Sequence, residues 1–186
     1  MDLRPSEEQQ QLVDAYRALY AKESPPERVR EAEPLGFDQR LWDQLGELGS
    51  VAMAVDEAHG GWGASVLDLA LVAQEHGRAL GAAPLIETQV AARLLSRVGD
   101  RGAEALAGAL DGDRLVTVSL RPARVDTAGL VPAGAVATDL VVRRDDELLL
   151  VALGDDRVVP ENVGALPLAD VPLTGAVVIA SGTDAA

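Results

Sequence analysis

The chain has 186 residues, with 16 Lys and Arg against 30 Asp and Glu, for a formal net charge of −14. That acid excess repels phosphate backbones and argues against a nucleic-acid binder. The absence of cysteine excludes disulfides, thiolate metal sites and a cysteine nucleophile. Hydrophobic residues make up 48%, an ordinary globular share. No apolar run approaches the roughly 20 residues of a membrane helix. The start, Met1 to Glu8, is polar and does not read as a secretory signal. A cytoplasmic protein of one or two small domains is the expectation.

The first part of the chain reads as helical. Ser6 with Gln9 three residues on is a capping-box pattern. Leu12, Val13, Tyr16, Leu19 and Tyr20 then recur at helical spacing, and Ser24-Pro25-Pro26 stops the run. A polar linker, Glu27 to Gly36, follows. The next predicted helix runs from about Asp38 to Leu48, with Leu41, Trp42, Leu45 and Leu48 on one face and Gly49 as its C-cap. After the short apolar stretch Val51 to Val55 comes His59-Gly60-Gly61-Trp62-Gly63, dense in residues that tolerate positive φ. Ser65 is placed to cap a third helix, Val66 to Leu80. Its apolar stripe predicts a buried side of Leu67, Ala70, Leu71 and Gly77, with Gln74 the polar exception. Pro84 opens a fourth helix that continues to Leu95, and a short one follows at Ala103 to Leu110.

From Asp111 the pattern changes. Leu115 to Leu120 is rich in β-branched residues and roughly alternates. Asp139 to Arg143 and Leu148 to Leu153 read as two further strands, joined by a turn at Arg144 to Glu147. Arg157 to Pro160 and Gly175 to Ala180 complete the set. The fold class is therefore α+β: an all-helical part, residues 1–110, then a small antiparallel barrel-like or sandwich-like β part, residues 111–180, then a linker-like tail, residues 181–186. All five aromatic residues, Tyr16, Tyr20, Phe37, Trp42 and Trp62, lie in the first third, so the β part must build its core from Leu, Val and Ala.

Spacing alone delivers no active site. His59 and His76 are isolated in sequence and lack clustered metal ligands, which favours surface or helix-packing roles. Gly60-Gly61-Trp62-Gly63 misses both phosphate-loop spacings and reads as a tight turn. The acidic groups Glu7-Glu8, Asp56-Glu57 and Asp145-Asp146-Glu147 fall at helix starts or turns, where solvated or capping carboxylates belong. Ser65 and Ser119 have no neighbouring histidine.

The order of four motifs is more informative. Ser6-Glu7-Glu8-Gln9 is followed by Leu41-Trp42-Asp43-Gln44-Leu45-Gly46-Glu47-Leu48-Gly49. Then come Asp56-Glu57-Ala58-His59-Gly60-Gly61-Trp62-Gly63 and Gln74-Glu75-His76-Gly77-Arg78. This succession resembles the N-terminal domain of the acyl-CoA dehydrogenase family. Members read roughly Trp-x-x-Leu-x-Glu-x-Gly, Pro-Glu-Glu-x-Gly-Gly-x-Gly and Glu-Glu-x-Gly-Arg. Here Asp56, Ala58 and Gln74 depart from those patterns. The resemblance implies a helical domain, a middle β domain and a C-terminal four-helix bundle. It also implies FAD, an acyl-CoA substrate, α,β-dehydrogenation of the thioester and a homo- or hetero-oligomer.

Two departures follow from the same resemblance. The catalytic glutamate belongs to the bundle, and the chain reaches only the first two domains, so no residue here receives a catalytic role. The middle domain's flavin-facing motif, roughly Thr-Glu-Pro-x-Ala-Gly-Ser-Asp, finds its best match at Leu120-Arg121-Pro122, with Leu120 where a hydroxyl would meet the flavin. Only the backbone of Ser119 and Leu120 is left as a cofactor contact. No metal ligands are expected. The expected functions are a piece of an acyl-CoA dehydrogenase cut before its bundle, a non-catalytic subunit paired with a catalytic one, or a binding or scaffold domain that reuses the fold.

Overall fold

The structure, a computed structural model, describes residues 4–182. Met1 to Leu3 and residues 183–186 of the expected tail lie outside the described residues; Ser181, also assigned to that tail, closes the last strand.

Six α-helices come first: α1 (Glu7–Glu23), α2 (Pro26–Ala32), α3 (Gln39–Glu47), α4 (Val66–Arg78), α5 (Leu85–Leu95) and α6 (Asp100–Asp111). The capping box at Ser6 is formed, since the Ser6 hydroxyl accepts from the Gln9 N–H and the Gln9 side chain accepts from the Ser6 N–H. Ser65 and Asp68 make the same reciprocal pair at the start of α4. Asp38 caps α3, accepting from the Arg40 and Leu41 amides. The linker expected at Glu27 to Gly36 is instead mostly α2. Pro26, at its first position, sacrifices no hydrogen bond there and starts the helix instead of blocking it.

Contacts between α1 and α4 follow one order along both helices: Gln9 with Asp68, Arg17 with Glu75, Tyr20 with His76 and Ser24 with Ala79. The two helices therefore run side by side in the same direction. The buried residues of α4 are Val72, Glu75 and His76. The predicted stripe of Leu67, Ala70, Gln74 and Gly77 is exposed, and Leu71 is only half-buried. The reason is that Glu75 and His76 each meet a partner on α1, which makes burial of two polar groups favourable and turns the apolar stripe outward.

Six strands follow: β1 (Val116–Val118), β2 (Thr127–Val131), β3 (Asp139–Arg144), β4 (Glu147–Ala152), β5 (Ala169–Pro172) and β6 (Val177–Ser181). They form a four-stranded sheet in the order β1-β3-β4-β6 and a separate β2-β5 pair; the described strands do not close a barrel. All pairings are antiparallel except β1-β3, which is parallel. The β3-β4 hairpin turns at Asp145, whose φ of 52° suits such a turn. Arg157 to Pro160 is not a strand: only Val158 bridges, to Asp170. Strands β2 and β5 were not legible in sequence. Gly129 and Pro172 break the pattern, Leu130 sits at φ 50°, and the pairing shifts register between Ala128 and Val131.

The larger sheet is buried on both faces, with strict alternation. Val116, Val118, Val141 and Leu148 join the helical core with Leu85, Ala92 and Leu106. Leu140, Val142, Leu149 and Val151 turn the other way and pack under Ala128, Val131, Ala169 and Val171 of the β2-β5 pair. Apolar side chains on both faces explain why β3 and β4 read as nearly continuous Leu and Val.

Two glycines make opposite predictions. A Cβ at Gly61 would lie 2.0 Å from the Val55 carbonyl oxygen, whereas a Cβ at Gly77, inside α4, meets nothing within 4 Å. Gly61→Ala is expected to lower stability by about 2 kcal/mol or more, because backbone must move. Gly77→Ala is expected to raise it by about 0.5–1 kcal/mol through helix propensity. Chemical denaturation of the two variants checks both signs.

Candidate functional site

The glycine turn is fully committed to its own fold. The amides of Gly60, Gly61, Trp62, Gly63 and Ala64 donate to the carbonyls of Glu57, Asp56, Ala52, Val55 and Met53. No amide remains to cradle a phosphate, so the turn reading holds. His59 bonds the Asp56 carboxylate, and this bond holds Asp56 below the usual carboxylate range. Trp62 lies against Gly49, where a Cβ would come 2.4 Å from its ring. The expected C-cap at Gly49 is present in that it follows α3 with φ 67°, and its lack of a side chain also makes room for the indole.

Behind this turn lies a buried polar chain. The Tyr16 hydroxyl meets Ser50 Oγ at 2.7 Å, and Gln89 Nε2 on α5 donates to the Ser50 carbonyl at 2.7 Å. The Tyr20 hydroxyl meets His76 Nδ1 at 2.8 Å. Burial pushes the His76 pKa down, partly opposed by a hydrogen bond with the Ala83 backbone. Neutral His76 accepts from Tyr20 through Nδ1 and leaves its other nitrogen for that backbone contact. Burial pushes both tyrosines up. Glu75 is only 4% exposed and takes a two-point contact from Arg17, at 3.3 and 3.1 Å, with Arg78 at 3.5 Å. The sequence motif Gln74-Glu75-His76-Gly77-Arg78 is thus mainly the clasp between α4 and α1.

The expected cofactor contacts, Ser119 and Leu120, follow β1. The Ser119 amide donates to the Val141 carbonyl at 2.9 Å, and its hydroxyl donates to the Arg121 carbonyl at 2.7 Å. Leu120 is 78% exposed. Both polar donors of Ser119 are therefore spent inside the chain, and the Leu120 side chain is apolar. No side-chain hydroxyl is left here to donate to a flavin ring, and the Leu120 amide remains the backbone candidate.

Between the two halves lies a cavity of about 360 Å³. His76 and Gly81 line it, with Pro84, Ile86 and Glu87 at the start of α5 on one side and Pro132, Ala133 and Leu166 on the other. Gly36 closes the seam: a Cβ there would lie 2.2 Å from the Ala165 carbonyl oxygen. Its lining is mostly apolar, and Glu87 is the carboxylate on its wall. No nucleophile paired with a base lines it. Sequence reasoning missed this cavity because its two walls are far apart in the chain; Pro84 marked only where α5 begins.

The sequence model described as "Acyl-CoA dehydrogenase, N-terminal domain" matches residues 6–105. The chain belongs to the acyl-CoA dehydrogenase family. It is 36% identical over 137 residues to the acyl-CoA dehydrogenase IpdE2 of Mycobacterium tuberculosis, covering 70% of this chain and 43% of that protein. It is 35% identical over 147 residues to the IpdE2 of Mycolicibacterium smegmatis, covering 77% of this chain and 44% of that protein. The chain thus spans less than half the length of these curated relatives. Its structure is similar to a chain of the ChsE4-ChsE5 complex from Mycobacterium tuberculosis, with TM-score 0.86 and 28% identity over 100% of this chain and 60% of that one. An acyl-CoA dehydrogenase complexed with FAD, from Bacillus anthracis, shares the fold alone, with TM-score 0.71 and 17% identity over 90% of this chain and 36% of that one.

The clasp makes a pH prediction. His76 has a folded pKa below the ordinary 6.5. The unfolded chain therefore binds more protons as pH falls below 6.5, and stability drops until His76 itself protonates in the folded state. Above 6.5 this contribution is fully present. His76→Gln is expected to remove that part of the pH slope, read as Tm against pH from 7.5 to 5. Tyr20→Phe is expected to cost about 1 kcal/mol at neutral pH by leaving His76 Nδ1 without its donor.

Proposed function

We propose that this chain is a non-catalytic component of an acyl-CoA dehydrogenase assembly that carries out α,β-dehydrogenation of an acyl-CoA thioester. Its helical and β parts form apolar walls, while the base and the principal flavin contacts come from another polypeptide segment. The observation that carries this reading is the loop after β1. In a chain of this family, Ser119 has both donors occupied and Leu120 offers no hydroxyl.

A second observation favours a covering partner. Val66, Leu67, Ile86 and Val90, on α4 and α5, are large apolar residues left exposed. Such patches on a folded chain mark surfaces that other protein covers. The similarity to a chain of a two-component complex supports a hetero-oligomer. FAD, on this reading, belongs to the assembly and contributes redox chemistry there. This chain's residues exclude water and shape the acyl site.

The expected result is no dehydrogenase turnover by the isolated chain with any acyl-CoA, and substoichiometric flavin on the purified protein. Co-expression with a family member that retains the Thr-Glu-Pro-type motif and the bundle should yield a stable, yellow, active complex. A yellow isolated chain with a full flavin equivalent would refute the reading. A stable monomer that binds no such member would leave a scaffold or binding domain as the function.

A further inference from the structure

A second cavity lies away from the seam site, bounded by α1, α2 and the end of α4, with a volume of about 540 Å³. That size is within the roughly 300–1,000 Å³ typical of small-molecule sites. Its walls are apolar: Ala21 and the ring of Tyr20 from α1, Pro25, Pro26 and Val29 around the start of α2, and Leu80. Leu80 is held at φ 50° and is 70% exposed, so an apolar side chain stands at the edge of the cavity in a strained backbone conformation.

The charges around it are unusual for this molecule. Arg17, Arg30 and Arg78 all line the cavity, in a chain whose net charge is −14. Glu75 is the one carboxylate on the lining, and it is already taken by Arg17 and Arg78. Arg30 has no ion-pair partner among the described residues. Among the lining residues three guanidiniums therefore stand against one carboxylate, with Arg30 and the outer part of Arg78 left to bind an anion. Arginine forks recognise carboxylates with two parallel hydrogen bonds.

We propose that this groove is a binding site for a free acyl carboxylate, distinct from the seam cavity. The hydrocarbon body lies along Tyr20, Pro25, Pro26, Val29 and Leu80, and the carboxylate is met by Arg30 and Arg78. A fatty alcohol of the same length lacks that head charge, so the site discriminates the acid from the alcohol.

The test titrates the full chain with dodecanoate and, in parallel, with 1-dodecanol, following affinity by calorimetry and position by methyl NMR. Dodecanoate should bind at least about tenfold more tightly than dodecanol, the scale of a charge-assisted hydrogen bond. Shifts should concentrate at Ala21, Val29 and Leu80 and spare Ile86. Arg30→Gln should weaken dodecanoate by roughly tenfold without affecting dodecanol. Ala21→Trp should fill the groove and abolish binding with every charge intact. Equal affinity for the acid and the alcohol, unchanged affinity in Arg30→Gln, or shifts centred on Ile86 would each overturn the proposal. Arg30 is exposed, so its variant decides the question even if the tryptophan variant misfolds.

Discussion

Two buried polar side chains, Glu75 and His76, fix how the helical half is assembled. Burying a carboxylate costs several kcal/mol unless charge and hydrogen bonds replace the lost water. Arg17 supplies both for Glu75, and Tyr20 satisfies His76. The partners lie three residues apart on α1, and their targets are adjacent on α4, so both contacts form only in one relative placement of the helices. The capping residues Gln9 and Asp68 lock the other end of the pair. Apolar packing supplies much of the stabilisation, but it is indifferent to small slides, whereas these polar contacts are not. Tyr16, Ser50 and Gln89 then extend the arrangement to α5, which packs on β1.

The sheet rests on this platform and is committed on both faces. One face meets the helices and the other meets β2 and β5. A single-residue slip of β3 would send Val141 and Leu140 to each other's cores, which differ in shape though not in polarity. Register is held instead by the tight Asp145 turn, by Asp139, buried beside Arg114 and Thr138, and by Thr117, whose hydroxyl donates to the Pro132 carbonyl at 2.6 Å.

The sequence made much of this legible wherever local chemistry decides structure. Ser6, Asp38, Ser65 and Pro84 mark helix starts because capping is local. The β3-β4 hairpin was legible for the same reason. Burial of α4 was misread because hydrophobicity counts Glu75 and His76 as outward residues, and only their partners on α1 reverse that. Strands β2 and β5 escaped because their stability comes from covering a sheet and not from their own pattern. The family resemblance rested on ordered motifs, which the structure explains as clasp and turn residues. The cavities were illegible, since their walls come from segments that meet only after folding.

The parallel pairing of β1 with β3 has a consequence for the route to this fold. Residues 119–138 must loop around before the first ladder bond of that pair can close. Most helices and the β3-β4 hairpin, in contrast, can begin from neighbours in sequence. Loop closure costs entropy before any contact repays it, and non-local topologies fold more slowly for that reason. Sequence separation alone favours helices and hairpin early and the β1-β3 junction late. Until that last junction forms, the apolar edge of β3 is open to pairing with another chain. The strand that joins the two halves is also the one that closes this edge of β3 once folding is complete.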